Sequence, residues 1–182
     1  VLIADETGKT FGIGQKGYEV YTPQVGYAQQ EPQEWWESTV EAIKEAFVKA
    51  GVDGEEIAGL SFSGQMHGMV ALDAERQLVC PALIHLDGRS AAERDEIKEI
   101  AAELMDTELL NQPGTGMIIC SLYWTKKNQP DVYEKIAYIM SPKDYIRYRL
   151  TGSIECEFSD ASSTLCFSVK NGHWCYELFR RL

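Results

Sequence analysis

The chain has 182 residues, is 45% hydrophobic and carries a formal net charge of −11. A domain of this size hides about 70% of the surface its unfolded chain exposes, so one α/β-sized core is within reach. The acidic balance argues against a nucleic-acid surface or an anionic membrane and for a small-molecule or protein partner. No apolar run approaches the ~20 residues of a membrane span, and five dispersed cysteines suggest reduced cytoplasmic thiols rather than a disulfide framework.

In chain order, Val1–Ala4, a turn at Asp5–Lys9 and Thr10–Ile13 predict a hairpin. Tyr18–Tyr21 predicts a third short strand, and 23–30 a loop with Tyr27 and two glutamines. Pro32 opens the strongest helix, Gly51 ends it, and Trp36, Val40, Ile43, Phe47 and Ala50 form its apolar stripe. Two apolar runs, Ile57–Phe62 and Met69–Leu72, predict buried strands. A hairpin at Asp73–Arg76 leads to a bulged or edge strand over Leu78–Ile84, where Pro81 interrupts the ladder. Ser90 and Glu93 predict a capping box, on a helix carrying Ile97, Ile100, Ala101 and Leu104 on one face. A loop over 111–117, a helix over 118–127, a helical turn over 132–136 and a strand over 137–140 follow. Ser141-Pro142 starts a helix that Gly152 stops. Ile154–Phe158 is strand-like, 159–164 a polar loop, Leu165–Val169 a strand, and a helix starts at Trp174. Hairpin strands followed by alternating helices and strands give a mixed α/β domain.

The stretch that concentrates polar chemistry is Ser61-Phe62-Ser63-Gly64-Gln65-Met66-His67-Gly68. Glycines bracket Gln-Met-His at a junction between apolar runs, where the backbone can turn sharply or approach a ligand. Gln and His offer donors and acceptors in several directions, which suits a many-hydroxyl ligand; an ordinary hydrogen-bonded core histidine fits the same pattern. Asp87 and Arg89 lie where a strand hands over to a helix, a common ligand position in α/β folds and equally a common place for an ion pair. Other chemistries find little. Cys156, Cys166, His173 and Cys175 match no zinc spacing. Ser63 has no preceding glycine of a nucleophile elbow. Cys80 and Cys120 lack a basic neighbour to activate a thiol, and Gly12-x-Gly14 alone does not make a dinucleotide fingerprint.

Resemblance goes further. Ser63-Gly64-Gln65-Met66-His67-Gly68 resembles the substrate-loop motif of xylulose kinases in the FGGY family of carbohydrate kinases. Glu31-Pro32-x-x-Trp35-Trp36, Asp87-Gly88-Arg89-Ser90, Ser141-Pro142-Lys143-Asp144-Tyr145, Leu150-Thr151-Gly152 and Ser159-Asp160-Ala161-Ser162 resemble further family segments in the same order. The likeness implies a ribonuclease-H-like domain of the actin and sugar-kinase superfamily, with residues 1–182 forming most of the N-terminal domain, incomplete at both ends. It implies a sugar pocket lined by Gln65, Met66 and His67, with Asp87 and Arg89 nearby and Asp160 in a secondary or structural place.

The same resemblance puts the phosphate-binding turn before Val1, and the catalytic aspartate and the nucleotide domain beyond Leu182. ATP and Mg²⁺ would then belong to the longer protein, and residues 1–182 alone are expected to be inactive. The implied activity is phosphorylation of a ketose, D-xylulose first, by a cytoplasmic transferase of xylose metabolism. The alternatives are a carbohydrate-sensing domain without catalysis, or a sibling kinase for another ketose or an aldonate. An exposed edge would favour pairing into a homodimer. Two positions depart from the family: His85 stands where a Trp usually precedes Asp-x-Arg, and Ser121 where a Lys precedes the Trp at position 124. Both touch the choice of sugar, since pockets discriminate through satisfied hydrogen bonds.

Overall fold

The structure is a computed structural model that describes residues 1–182. It divides into two compact units: Val1–Glu19 with Glu31–Ser63, and Val20–Gln30 with Gly64–Leu182.

In the first unit, β1 (Leu2–Ala4) and β2 (Thr10–Ile13) pair antiparallel, Ile3 opposite Gly12. Asp5 builds the connecting turn: its Oδ1 accepts from the Thr7 amide and hydroxyl and from the Lys9 amide. The first helix, α1 (Pro32–Ala50), starts on proline and ends at Gly51, whose left-handed backbone lets its N–H reach the Phe47 carbonyl. The helix packs on β2 through its smallest residues. A Cβ on Gly12 would lie 2.3 Å from the Ala46 carbonyl oxygen, and one on Gly14 only 1.8 Å from that of Ala42. Strand backbone therefore touches helix backbone, and the fully buried positions are Pro32, Trp35, Ala42 and Ala46. The expected stripe of Trp36, Val40, Ile43, Phe47 and Ala50 is only half-buried. Periodicity finds the apolar flank of a helix, but the closest approach goes to the face with the least side chain. Gly12 and Gly14 thus have a packing role.

Ile57–Phe62 does not form the expected buried strand. The run joins no ladder, and Leu60 is 69% exposed. An apolar run makes a strand only where a second backbone satisfies its N–H and C=O groups, and none is paired with it here.

The second unit holds two short antiparallel pairs joined by a bridge. β3 (Gln29–Gln30) pairs with β5 (Ala82–Leu83), and β4 (Val70–Leu72) with β6 (Tyr138–Met140). A bridge from Met69 to Leu83 joins them, and single bridges pair Leu72 with Leu78 and Tyr21 with Gln29. Tyr18–Tyr21 is no strand beyond that single bridge, and Pro81 cuts the expected 78–84 strand to two residues. Helices α2 (Ala91–Ile100) and α3 (Ala102–Leu104), with a π-turn over Met105–Leu109, pack around Ile97, Leu104 and Leu109. The capping box at Ser90 is absent. Ser90 is not in extended geometry, its hydroxyl is buried without a partner, and Glu93 is drawn instead to Lys127 and Asn128.

The rest runs α4 (Ile118–Asn128), α5 (Pro130–Tyr133), α6 (Pro142–Thr151), α7 (Phe158–Ser163), the hairpin β7 (Phe167–Ser168) with β8 (His173–Trp174), and α8 (Tyr176–Arg181). The strand expected over 154–158 and the loop over 159–164 are replaced by an irregular segment and α7. Glu157 decides this: its carboxylate accepts from the Ser159 and Asp160 amides and caps the helix. His173–Trp174 is a strand, so the last helix begins two residues later than Trp174.

Candidate sugar-binding turn

Gln65, Met66, His67, Asp87, Arg89 and Asp160 all lie in the second unit. The turn is made by two consecutive left-handed residues, His67 (φ 53°) and Gly68 (φ 77°). A histidine there is uncommon and is held only by its surroundings. Those surroundings are close on every side. The Gly68 amide donates to the Gly116 carbonyl at 3.0 Å. A Cβ on Gly68 would meet Pro142 Cγ at 3.1 Å, and one on Gly64 would meet Lys143 Cβ at 3.1 Å. Gly116, also left-handed, sits against the His85 backbone with 2.7 Å from its virtual Cβ to the His85 carbonyl oxygen. The start of α6 and the 116 turn therefore clamp Gly64–Gly68 through glycine contacts.

Met66 is 63% exposed. The His67 ring is half-buried and its Nδ1 is buried with no partner. Gln65 is held by Gln30: its Nε2 donates to Gln30 Oε1 at 3.0 Å, while His85 Nδ1 lies 3.1 Å from its Oε1. Gln30, 4% exposed, was not among the expected site residues. Its only signal was the glutamine pair near Tyr27, in a stretch the sequence reads as a loop.

Asp87 and Arg89 form a buried structure of their own, with side chains 1% and 5% exposed. Asp87 accepts from the Ala28 amide at 2.6 Å, the Arg89 amide at 3.1 Å, and Arg89 Nε at 2.9 Å on both oxygens. The guanidinium also donates to Gln29 Oε1 at 3.1 Å and lies 4.0 Å from the Tyr27 ring centroid and 5.1 Å from that of Trp124. Every strong site on the Asp87 carboxylate is used. The pair ties β3 to the 85–89 segment.

Asp160, on α7, is three-quarters buried and accepts from Lys143 Nζ at 2.9 Å, with the Ser141 hydroxyl at 3.2 Å. Lys143 also reaches Glu157 at 3.2 Å and Asp144 at 3.7 Å. Burial, the largest single influence on the Lys143 ammonium, pulls its pKa down, but the bonds to Asp160 and Glu157 and the Asp144 charge outweigh it and the net direction is upward. Glu157 is held down at about 2, first by the Ser159 hydroxyl and then by the Ser159 and Asp160 amides. A carboxylate depressed below its unfolded value stabilises the fold above that value and loses the contribution as pH falls. Glu157 should therefore support α7 fully above pH 4.5 and lose that support as pH falls toward 2. Glu157→Gln is expected to flatten this arm of an acid-unfolding curve followed by circular dichroism; an unchanged curve would remove Glu157 as the cap that matters.

A cavity of about 440 Å³ is bordered by Met140, Ser141, Cys156, Thr164, Trp174 and Phe179; none of the six expected site residues lines it, though Ser141 bonds Asp160.

The sequence matches the family described as "FGGY family of carbohydrate kinases, N-terminal domain" over residues 1–182. It is 35% identical to the xylulose kinase of Staphylococcus xylosus, covering 100% of this chain and 37% of that protein. It is 30% identical to that of Bacillus subtilis strain 168, covering 100% and 36%. Among solved structures it is similar to a xylulose kinase from Brucella ovis (TM-score 0.94, 28% identity, 99% of this chain and 37% of that one) and to a gluconate kinase from Lactobacillus acidophilus (TM-score 0.82, 25% identity, 91% and 33%). The chain thus spans little more than a third of the length of the curated relatives it matches. These matches also carry the mixed α/β architecture expected of a ribonuclease-H-like domain. The chain belongs to the FGGY family of carbohydrate kinases and corresponds to the family's N-terminal domain.

Proposed function

We propose that this chain is the sugar-binding part of an ATP-dependent, cytoplasmic ketose kinase, with D-xylulose as substrate and D-xylulose 5-phosphate as product. The observation that carries the reading is the clamped Gln65–Met66–His67 turn, where a histidine held in the left-handed region, its Nδ1 without a protein partner, sits beside an exposed methionine. A hydroxyl both donates and accepts, and a preformed turn lowers the ordering cost of binding it. Asp87 and Arg89 enter as positioning residues that hold the walls of the turn, since the Asp87 carboxylate is filled by the Ala28 amide and by Arg89, while Asp160 is tied through Oδ2 to Lys143 and Ser141.

The same pairing favours a neutral ketose over an aldonate. An anionic sugar needs a cation with unmatched charge, yet Arg89 is locked to Asp87 and Lys143 faces Asp144, Glu157 and Asp160. For the same reason these residues do not fit the phosphates of ATP, and no group of three or more His, Cys, Asp or Glu side chains is arranged to hold an ion. ATP and Mg²⁺ are assigned to the part of the relatives' length that this chain does not span. No helix is long and apolar enough to cross a membrane.

The test is ADP release by the full-length kinase carrying this domain, with Mg-ATP and D-xylulose, D-ribulose, L-xylulose or gluconate. The expected result is preference for D-xylulose. Preference for gluconate would overturn the charge argument, and sugar binding without turnover on any of the four would favour a sensing domain.

A further inference from the structure

The cavity of about 440 Å³ is lined by three aromatic side chains, Trp174, Tyr176 and Phe179, which remain 39%, 64% and 40% exposed. Trp174 is held in place: the β7–β8 register sets it opposite Phe167, whose ring it meets edge-on at 5.6 Å, and Phe158 lies 5.6 Å from Phe167 in turn. The hydroxyls in the lining are already engaged. That of Ser141 donates to Asp144 and Asp160, and that of Thr164 donates to the Ala161 carbonyl and accepts from the Cys166 amide. Burial pushes the Cys166 thiol up to about 12, so it stays neutral. Glu155 is the one charged side chain in the lining. Its carboxylate is 74% exposed, and its partner Arg147, at 3.5 Å, is shared with the buried Asp144 at 3.5 Å. The cations nearby are committed elsewhere: Lys143 faces Asp144, Glu157 and Asp160, and Arg180 and Arg181 of α8 share Glu177.

We propose that this cavity is a second small-molecule site, taking an organic ammonium ion with an apolar body. A cation within about 6 Å of an aromatic ring is attracted to the negative face of the ring, and Glu155 supplies the matching charge. The volume falls in the range of about 300–1,000 Å³ for ligand pockets. The lining sets the class. An anion would meet Glu155 with no uncommitted cation to answer it, and a many-hydroxyl sugar would leave most of its hydroxyls unpaired. No residue of the Gln65–His67 turn lines the cavity, so the two sites stand or fall separately.

Phenethylammonium, 2-phenylethanol and 3-phenylpropionate share an apolar body and differ in the head group. Titrated into the ¹⁵N-labelled chain, phenethylammonium should give saturable backbone amide shifts gathered around Ser141, Cys156, Cys166 and Trp174. It should bind about two- to thirty-fold more tightly than 2-phenylethanol, the range for a cation at an aromatic face, and 3-phenylpropionate should not bind. Glu155→Gln keeps the size of an exposed side chain, so its thermal midpoint should stay near that of the parent chain while the preference for the ammonium over the alcohol falls. The full-length kinase carrying this domain should bind phenethylammonium likewise. Equal binding of ammonium and alcohol would overturn the proposal, as would binding of the carboxylate or an unchanged preference in Glu155→Gln. Shifts confined to the Gln65–His67 turn would also overturn it. So would loss of binding in the full-length kinase, where the cavity would then be filled by protein.

Discussion

Replacing Gly14 with alanine is expected to destabilise the first unit by about 3 kcal/mol, the upper range for overpacking a tight contact. The new Cβ would lie 1.8 Å from the Ala42 carbonyl oxygen and 2.8 Å from the Ala46 amide nitrogen. These are helix backbone atoms, so no side chain can rotate away; β2 must lift off α1. Lifting would also break the Gln15 amide bond to Glu45 and the Lys49 bond to the Ile13 carbonyl. Gly12→Ala should behave alike, with 2.3 Å to the Ala46 oxygen. Gly17→Ala is the control: a Cβ there meets nothing within 4 Å, and the change should stay within about 0.5 kcal/mol. Urea midpoints of the three variants decide it. A Gly14→Ala protein as stable as Gly17→Ala would mean that β2 and α1 do not meet backbone to backbone.

The second large effect is at Arg89. Arg89→Met should cost about 3–5 kcal/mol, because it leaves a buried carboxylate uncompensated. Asp87 is 1% exposed, and Arg89 supplies most of its hydrogen bonds. Arg89→Lys should fail nearly as badly. An ammonium has no planar fork to bond both Asp87 oxygens and reach Gln29 while lying against the Tyr27 ring. Adding Asp87→Asn to Arg89→Met should restore part of the loss by removing the stranded charge. If the double variant is less stable than Arg89→Met alone, the charge is not the source of the penalty. Should Arg89→Met instead fold normally and abolish sugar binding alone, Arg89 would be a ligand rather than a positioning residue.

Legibility in the sequence followed the range of the physics involved. Local signals read well. Pro32 and Gly51 bracketed α1, the Ser141 side chain accepts from the Asp144 amide as an N-cap should, and Gly152 closes α6 in the left-handed region. Signals that need a partner read poorly. Ile57–Phe62 has strand composition but no ladder, and Ser90 has cap composition but the wrong backbone angles. Glu157 was missed as a cap because a Glu in that place is recognised only once Ser159 and Asp160 turn their amides toward it. At the candidate site, motif and resemblance picked out Gln65, Met66 and His67, and the structure puts them on one clamped turn. What spacing could not show is that Asp87 and Arg89, two residues apart, spend their charge on each other, or that Gln30, 35 residues away, holds Gln65.

The central claim is that the Gln65–His67 turn receives a neutral ketose. Backbone amide shift mapping of the ¹⁵N-labelled chain, titrated with D-xylulose and separately with D-gluconate, tests it most directly. The account predicts saturable shifts confined to residues around Gln65, Met66, His67 and His85 with D-xylulose, and none with gluconate. Shifts that gather instead around the cavity between Met140 and Phe179, or equal responses to the two sugars, would contradict it.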